Sequence, residues 1–331
     1  MTPKNQKFYN LKLFWRLTQN LFWSSSTKSQ LEFPKKINGF DFVGNILKNR
    51  VDDKFQFAIY RSQNGEEYFA KQLSTKKSSL NEYWLRNEVS VYSVLKKIYE
   101  KYGDLINEKF PDIKIPKLVL VIDDNERLLC LTSRVSGEVV FEAETAEWIM
   151  HTEKIISYLR FINSLHDFKD EQLIKRNFIK MSPILFLATI RALMNYPKEY
   201  KQILKGFFLI SINSLFLIHN YKKAFVHRDI SIENVLIGSD KTKSLIDFEL
   251  ASYMHPMWEV VNAIVGFRRK EGFIENFSKS ETMQNILNDS KSKKIYKLFS
   301  VYSGIHLLSQ ISSNEERVIA NKKYLKYALS I

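Results

Sequence analysis

From Phe40 onward apolar and polar residues alternate in short runs: "DFVGNILKN" (41–49), "FQFAIYRS" (55–62) and "EYFAKQLS" (67–74). The period of two predicts half-buried strands. They are separated by "RVDDK" and by "QNGE", and the Asn64-Gly65 pair in the second is a strong hairpin turn signal. The spacing then changes to three and four over "SLNEYWLRNEVSVYSVLKKIYEKY" (79–102), which predicts one helix. Two further strands follow, "KLVLVID" (117–123) and "RLLCLTSRV" (127–135), joined by "DNE". Beyond Ser136-Gly137 the pattern is helical, with helices expected over 145–166, 182–194, 198–220 and 256–269 and two more after 281. The only β-like interruption expected there is "FVHRDISIENVLIGSDKTKSLIDFELA" (225–251). A β-rich first part and a helical second part, joined near 133–137, make an α+β chain.

The segment ahead of the first strand has its own pattern. At 100° per residue, Leu11, Leu13, Phe14, Trp15, Leu17, Leu21 and Phe22 share one face, opposite Lys12, Arg16, Gln19 and Asn20. An amphipathic helix over 11–23 is expected, followed by a linker, "SSSTKSQ". It could dock on the protein's own surface or contact a membrane. The organisation read from these shifts is a basic N-terminal extension and linker (1–36), a β-rich part (37–135) and a helical part (136–331).

Composition narrows the class. The 331 residues are 45% hydrophobic and 26% charged, which is the balance of a folded chain. A lone cysteine, Cys130 in "RLLCLT", excludes an internal disulfide framework or a cysteine-based zinc site, and is expected to be a buried inert thiol. No signal peptide is read at the start, and no run reaches about 18 apolar residues. "GFFLISINSLFLI" (206–218) is too short to span and is expected to be a core helix. A cytoplasmic location is expected, at the inner membrane surface if residues 11–23 reach it. The net charge of +14 gathers at the ends: residues 1–36 and 291–331 each carry +6. Such ends suit an anionic surface or plain solvation. No stacking-aromatic or helix-turn-helix signature accompanies them, so no nucleic-acid partner is expected.

The chemistry lies in 225–251. Asp229 is followed by Asn234, and Asp247 lies 13 residues further, with a hairpin between them. Asn234 enters one strand and Asp247 leaves the other, which places both at one end. Their oxygens suit a hard cation such as Mg²⁺. The spacing H-R-D-x₄-N followed by D-F-x resembles the catalytic core of the protein-kinase-like phosphotransferases, over about residues 40–270. That resemblance implies a bilobal protein-kinase-like fold: a small five-stranded antiparallel N-lobe with one helix, and a larger, mainly helical C-lobe. It implies ATP and Mg²⁺ as cofactors. Asp229 would orient the acceptor hydroxyl, and Asn234 and Asp247 would hold the metal. Lys71 in "YFAKQL" would steady the nucleotide and pair with Glu88, with Glu82 as the substitute. The segment 131–137, Ser133 and Val135 included, would grip adenine. His227 would be a scaffold residue rather than a base.

Two departures bear on the kind of kinase. The loop between the first strands, "KNRVDDK" after a lone Gly44, lacks the family's Gly-rich set. After Asp247, "DFELASYMHPMWEVVNAI" has Glu249 in place of Gly and no long activation segment. "DFE-x-A" followed by P-x-W-[DE] looks like the aminoglycoside and choline phosphotransferase group, whereas Arg228 is more typical of protein kinases; kinases of lipopolysaccharide-core sugars are a third relative. The expected activity is transfer of the γ-phosphate of ATP to a hydroxyl of a small molecule or glycolipid. A protein Ser/Thr kinase and a pseudokinase that acts as a binding module are the alternatives.

Overall fold

The computed structural model describes residues 31–46, 55–73, 80–124, 127–139, 144–312 and 314–331. The expected helix over 11–23, its linker and the loop 48–54 lie outside the described residues. The chain divides into two compact units: residues 1–93 with 116–134, and residues 94–115 with 135–331.

The first unit is built on one antiparallel sheet. Its strands are β1 (Lys36–Ile37), β2 (Phe40–Asn45), β3 (Phe55–Arg61) and β4 (Glu67–Leu73). The helix α1 (Leu80–Lys109) and β5 (Ile113–Lys114) come next, then β6 (Leu118–Asp123) and β7 (Leu128–Ser133). The sheet order is β1-β2-β3-β4-β7-β6, so the sheet has six strands rather than the expected five. The extra strand is two residues long, too short to show any alternation. It is held by a tight turn in which Asn38 (φ 44°) and Gly39 (φ 88°) both take positive φ, as a two-residue hairpin requires. Ile37 is buried there with Ala58, Tyr60, Ala70, Leu129 and Leu131 as the core of the sheet face. Tyr60 donates its hydroxyl to the Pro34 carbonyl at 2.7 Å.

Helix α1 outruns its expected end at residue 102, continuing past a non-helical Tyr102 (φ −127°, ψ 16°) to Lys109. Its residues from Val94 belong to the second unit.

The second unit is mainly helical. Its helices are α2 (Thr145–Leu165), α3 (Phe178–Asn195), α4 (Tyr200–Ile212), α5 (Ser214–His219), α6 (Met257–Phe267), α7 (Phe273–Phe277), α8 (Glu281–Asn288), α9 (Ser290–Ser309) and α10 (Glu315–Ser330). Helix α9 is the hub, buried along its length by Leu298, Phe299, Val301, Ile305 and Leu308. Helix α3 starts four residues before its expected start because Asn177 caps it, accepting from the Lys180 amide at 2.9 Å; Pro183 is tolerated inside. The expected helix 198–220 is two helices, broken at Asn213, whose side-chain amide donates to the Leu209 carbonyl at 2.8 Å.

Short strands are more numerous here than expected. Besides β9 (Ala224–Val226), β10 (Val235–Ile237) and β11 (Lys243–Leu245), there are β8 (Ile174–Lys175) and β12 (Ser252–Met254). They form two three-stranded sheets, β10-β11-β5 and β8-β12-β9. Residues that pair over only two or three positions leave no periodicity to read. Together these sheets hold the chain on both sides of residues 227–234.

Candidate active site

In the first unit, β4 is paired on both sides, which leaves Lys71 opposite Phe57 on β3 and Cys130 on β7. Its side chain is almost wholly buried, and its ammonium donates to Glu88 Oε2 of α1 at 2.7 Å. The Phe55 ring lies 4.4 Å from the same nitrogen. An ion pair this buried survives only because each charge has the other close by. Glu82 sits one face round the helix and instead accepts from Arg86 at 2.9 Å, as an i,i+4 pair. Cys130 is buried, and burial, with the nearby Glu88 charge, pushes its thiol far up, so it is inert.

Ser133 ends β7 with its amide donating to the Lys117 carbonyl and its hydroxyl accepting from the Lys117 amide, both at 2.8 Å. That pair fixes the strand end where the chain turns out of the sheet. Val135, in the second unit, is half-buried in the extended stretch that follows. Gly137 then passes so close to β10 that a Cβ would sit 2.9 Å from the Ile237 carbonyl carbon.

In the second unit, residues 227–247 form a closed polar network. Asn234 is buried in a single 3-10 turn, and its amide nitrogen donates to both the Asp229 backbone carbonyl (3.0 Å) and Asp229 Oδ2 (2.8 Å). Both Asn234 N–H groups are thereby engaged, so its carbonyl oxygen is the atom left for another ligand. β10 and β11 pair as a hairpin, and the Ile246 amide donates to the Asn234 backbone carbonyl at 3.0 Å. This brings the two strand ends together as the spacing predicts. Asp247 then takes a left-handed conformation (φ 63°, ψ 69°) before a 3-10 turn that carries Glu249.

His227 is fully buried. Its Nε2 meets the Ile246 carbonyl at 3.1 Å and its Nδ1 accepts from the Asp229 amide at 3.3 Å, which assigns the proton to Nε2. Burial lowers its pKa to about 4, against a smaller upward pull from Asp247. A neutral ring that bridges the two sides of the hairpin is a strut and not a base. For Asp229 burial acts in the other direction and raises the pKa to about 7, with Asp247 adding to the rise and the Asn234 bond opposing it.

Two residues here were not singled out by the sequence. Glu259, on α6, accepts from the His227 amide at 2.7 Å, and burial raises its pKa to about 8. The only cue was its place in "PMWE". Gly266, also on α6, lies where a Cβ would meet the Ile230 carbonyl oxygen at 2.2 Å, so the helix and the loop after Asp229 touch backbone to side. Arg228 holds φ at 71°, a costly conformation outside glycine, and burial lowers its guanidinium to about 9 with Arg176 adding to the fall.

The model of the phosphotransferase enzyme family, APH, matches residues 105–281, more than half of the chain. The chain belongs to that family. The phosphotransferase has the fold of several solved relatives. It matches an aminoglycoside phosphotransferase from Alicyclobacillus acidocaldarius (10% identity, TM-score 0.56) over 93% of this chain and 97% of that one. It matches the choline kinase LicA from Streptococcus pneumoniae (14% identity, TM-score 0.51) over 88% and 94%. An aminoglycoside phosphotransferase solved with ADP and hygromycin B matches at 11% identity and TM-score 0.54, over 88% and 92%. No curated protein matches the sequence. The phosphotransferase is thus a kinase-like enzyme of α+β fold.

Proposed function

We propose that this phosphotransferase moves the γ-phosphoryl group of ATP to a hydroxyl of a small molecule or glycolipid. The observation that carries this reading is the pair of hydrogen bonds from the Asn234 side-chain amide to Asp229, which fixes the carboxylate and leaves the amide oxygen as the acceptor for a further ligand. Asp229 accepts or orients the acceptor proton, and Asn234 and Asp247 hold Mg²⁺. The donor set fits such an ion: it is all oxygen, and the Asp247 charge adds to the rise in the Asp229 pKa, a repulsion that a divalent cation relieves. The ion, when bound, neutralises phosphate charge. Lys71, steadied by Glu88, binds the nucleotide phosphates, and the Ser133–Val135 segment takes the adenine. Little covalent work is asked of the protein beyond holding and neutralising.

The test is thermal unfolding with and without Mg-ATP, for wild type and Asp247→Asn. Ligand at about 100 times its dissociation constant adds about 2.7 kcal/mol, a rise of a few degrees for a chain of this size. A Mg²⁺-dependent rise that the variant loses is the expected result, and a screen of neutral, cationic and phosphorylated hydroxyl compounds for ADP release follows. No rise at millimolar Mg-ATP would remove the nucleotide site from the reading.

A further inference from the structure

Helices α3 to α5 present an apolar surface that nothing in the described chain covers. Helix α3 contains an 18-residue window of mean hydropathy 1.3, yet only 33% of that window is buried. Its inner side, Met181, Leu185 and Ala188, is packed, and the Tyr302 hydroxyl of α9 donates to the Met181 carbonyl at 3.3 Å. Helix α4 packs on the same hub: a Cβ on Gly206 would lie 2.8 Å from Val301 Cγ1. With both inner faces on α9, both outer faces point away from it. On α3 the outer face holds Phe186, Ile190 and Met194; on α4 and α5 it holds Phe208, Ile212 and Leu215. Met194 is 76% and Ile212 79% exposed, so these side chains stand clear of the surface. The two stripes join through Phe207, whose ring is 6.4 Å from Phe186 and 5.8 Å from Phe208. A contiguous apolar patch of this kind marks a place of contact.

Charge decides which contact. Residues 177–223 carry seven Lys and Arg against one acid, Glu199, which is itself paired with Lys322 at 3.3 Å. Lys201 and Lys205 share the outer stripe of α4 with Phe208 and Ile212 at helical spacing, and both are exposed. A second copy seated here in a twofold contact would set one basic surface against another. The segment 11–23, with Lys12, Arg16 and no acid, has the same sign and is repelled likewise. An anionic lipid surface satisfies both parts: apolar side chains enter the acyl boundary and lysine stems reach up to the headgroups.

We propose that the outer face of α3, α4 and α5 docks on an anionic lipid bilayer, the helices lying in its plane. The proposal stands independently of which acceptor the enzyme uses.

The test is sedimentation of the full chain with phosphatidylcholine vesicles, alone or containing one quarter phosphatidylglycerol. Wild type is expected to partition onto the mixed vesicles at least about tenfold more strongly, and to be released by salt. Phe208→Ser with Ile212→Ser, and separately Lys201→Glu with Lys205→Glu, should each lower binding by at least about tenfold. Their thermal unfolding and Mg-ATP response should be unchanged, since all four side chains face solvent. Trp15→Ser with Trp23→Ser, in the full chain, should leave most of the binding. Equal partition onto both vesicle types, or binding abolished by the tryptophan pair and untouched by the α4 pairs, would overturn the proposal. A wild-type dimer that the Phe208/Ile212 pair converts to monomer, without loss of vesicle binding, would assign the face to a second copy instead.

Discussion

Asn234 has two parts in the proposed mechanism: its nitrogen immobilises Asp229, and its side-chain oxygen would hold the metal. Asn234→Ala removes both and leaves a crowded carboxylate without its side-chain donor, at a cost of about 1–3 kcal/mol in stability by chemical denaturation. Asn234→Asp is the sharper probe. An ionised Asp cannot donate, and it places a third acid beside Asp229 and Asp247, so it should raise the Asp229 pKa further and lose activity at least as completely as the Ala variant. A variant that retained wild-type turnover would contradict the role given to this residue. At this scale the sequence was legible wherever spacing along the chain sets proximity: His227, Asp229, Asn234 and Asp247 fall together because a two-strand hairpin leaves them no other place. Glu259 was not legible in the same way. It reaches the His227 amide from 32 residues away, and only the packing of α6 against β9 and its loop decides that.

Between elements, the joint most exposed to test is Lys71 with Glu88, which ties β4 to α1. Removing one partner strands a buried charge, so Lys71→Met or Glu88→Leu alone should cost about 3–5 kcal/mol, whereas the two together should recover much of it. Denaturation of the four proteins in a double-mutant cycle gives the coupling; additivity would mean that the pair is not structural. A second joint, α6 against the loop after Asp229, rests on Gly266. Gly266→Ala should gain up to about 1 kcal/mol of helix propensity, yet lose more, about 1–3 kcal/mol or above, because the added carbon meets a backbone oxygen that has no rotamer to yield. Its readout is a lower melting temperature together with a fall in turnover. Most elements of ordinary length could be read in advance, since α2, β3, β4, β6 and α6 show their periods plainly. β1, β8 and β12 could not, because two or three residues carry no period; β1 did leave a local sign, the Asn38-Gly39 turn. The break between α4 and α5 turns on one side chain, Asn213, folding back on its own helix.

For the molecule as a whole, the buried ionisable groups set where in pH it is most stable. His227 and His255 are buried and both are lowered to about 4, mainly by burial. Their unfolded values are near 6.5, so between pH 6.5 and 4 the unfolded chain binds more protons than the folded one. Stability is therefore full above pH 6.5 and is lost as pH falls through that window, by roughly 2–3 kcal/mol per ring at most. Glu259 works in the opposite sense. Its folded value of about 8 lies above its ordinary value, so the folded chain holds a proton the unfolded chain has released, and stability falls as pH rises toward 8. Asp229, raised to about 7, leans the same way. The two senses offset each other between about pH 4.5 and 6.5, so guanidinium unfolding should give a broad plateau there and a clear fall between pH 6.5 and 8. Glu259→Gln separates the contributions: it keeps an oxygen for the His227 amide but cannot ionise, so the loss between pH 6.5 and 8 should shrink by roughly 1–2 kcal/mol, and the histidine-driven loss below pH 6.5, no longer offset by this carboxyl, should steepen. A variant whose alkaline slope matched wild type would show that Glu259 is ionised in the fold, with Arg228 and Arg160 outweighing its burial.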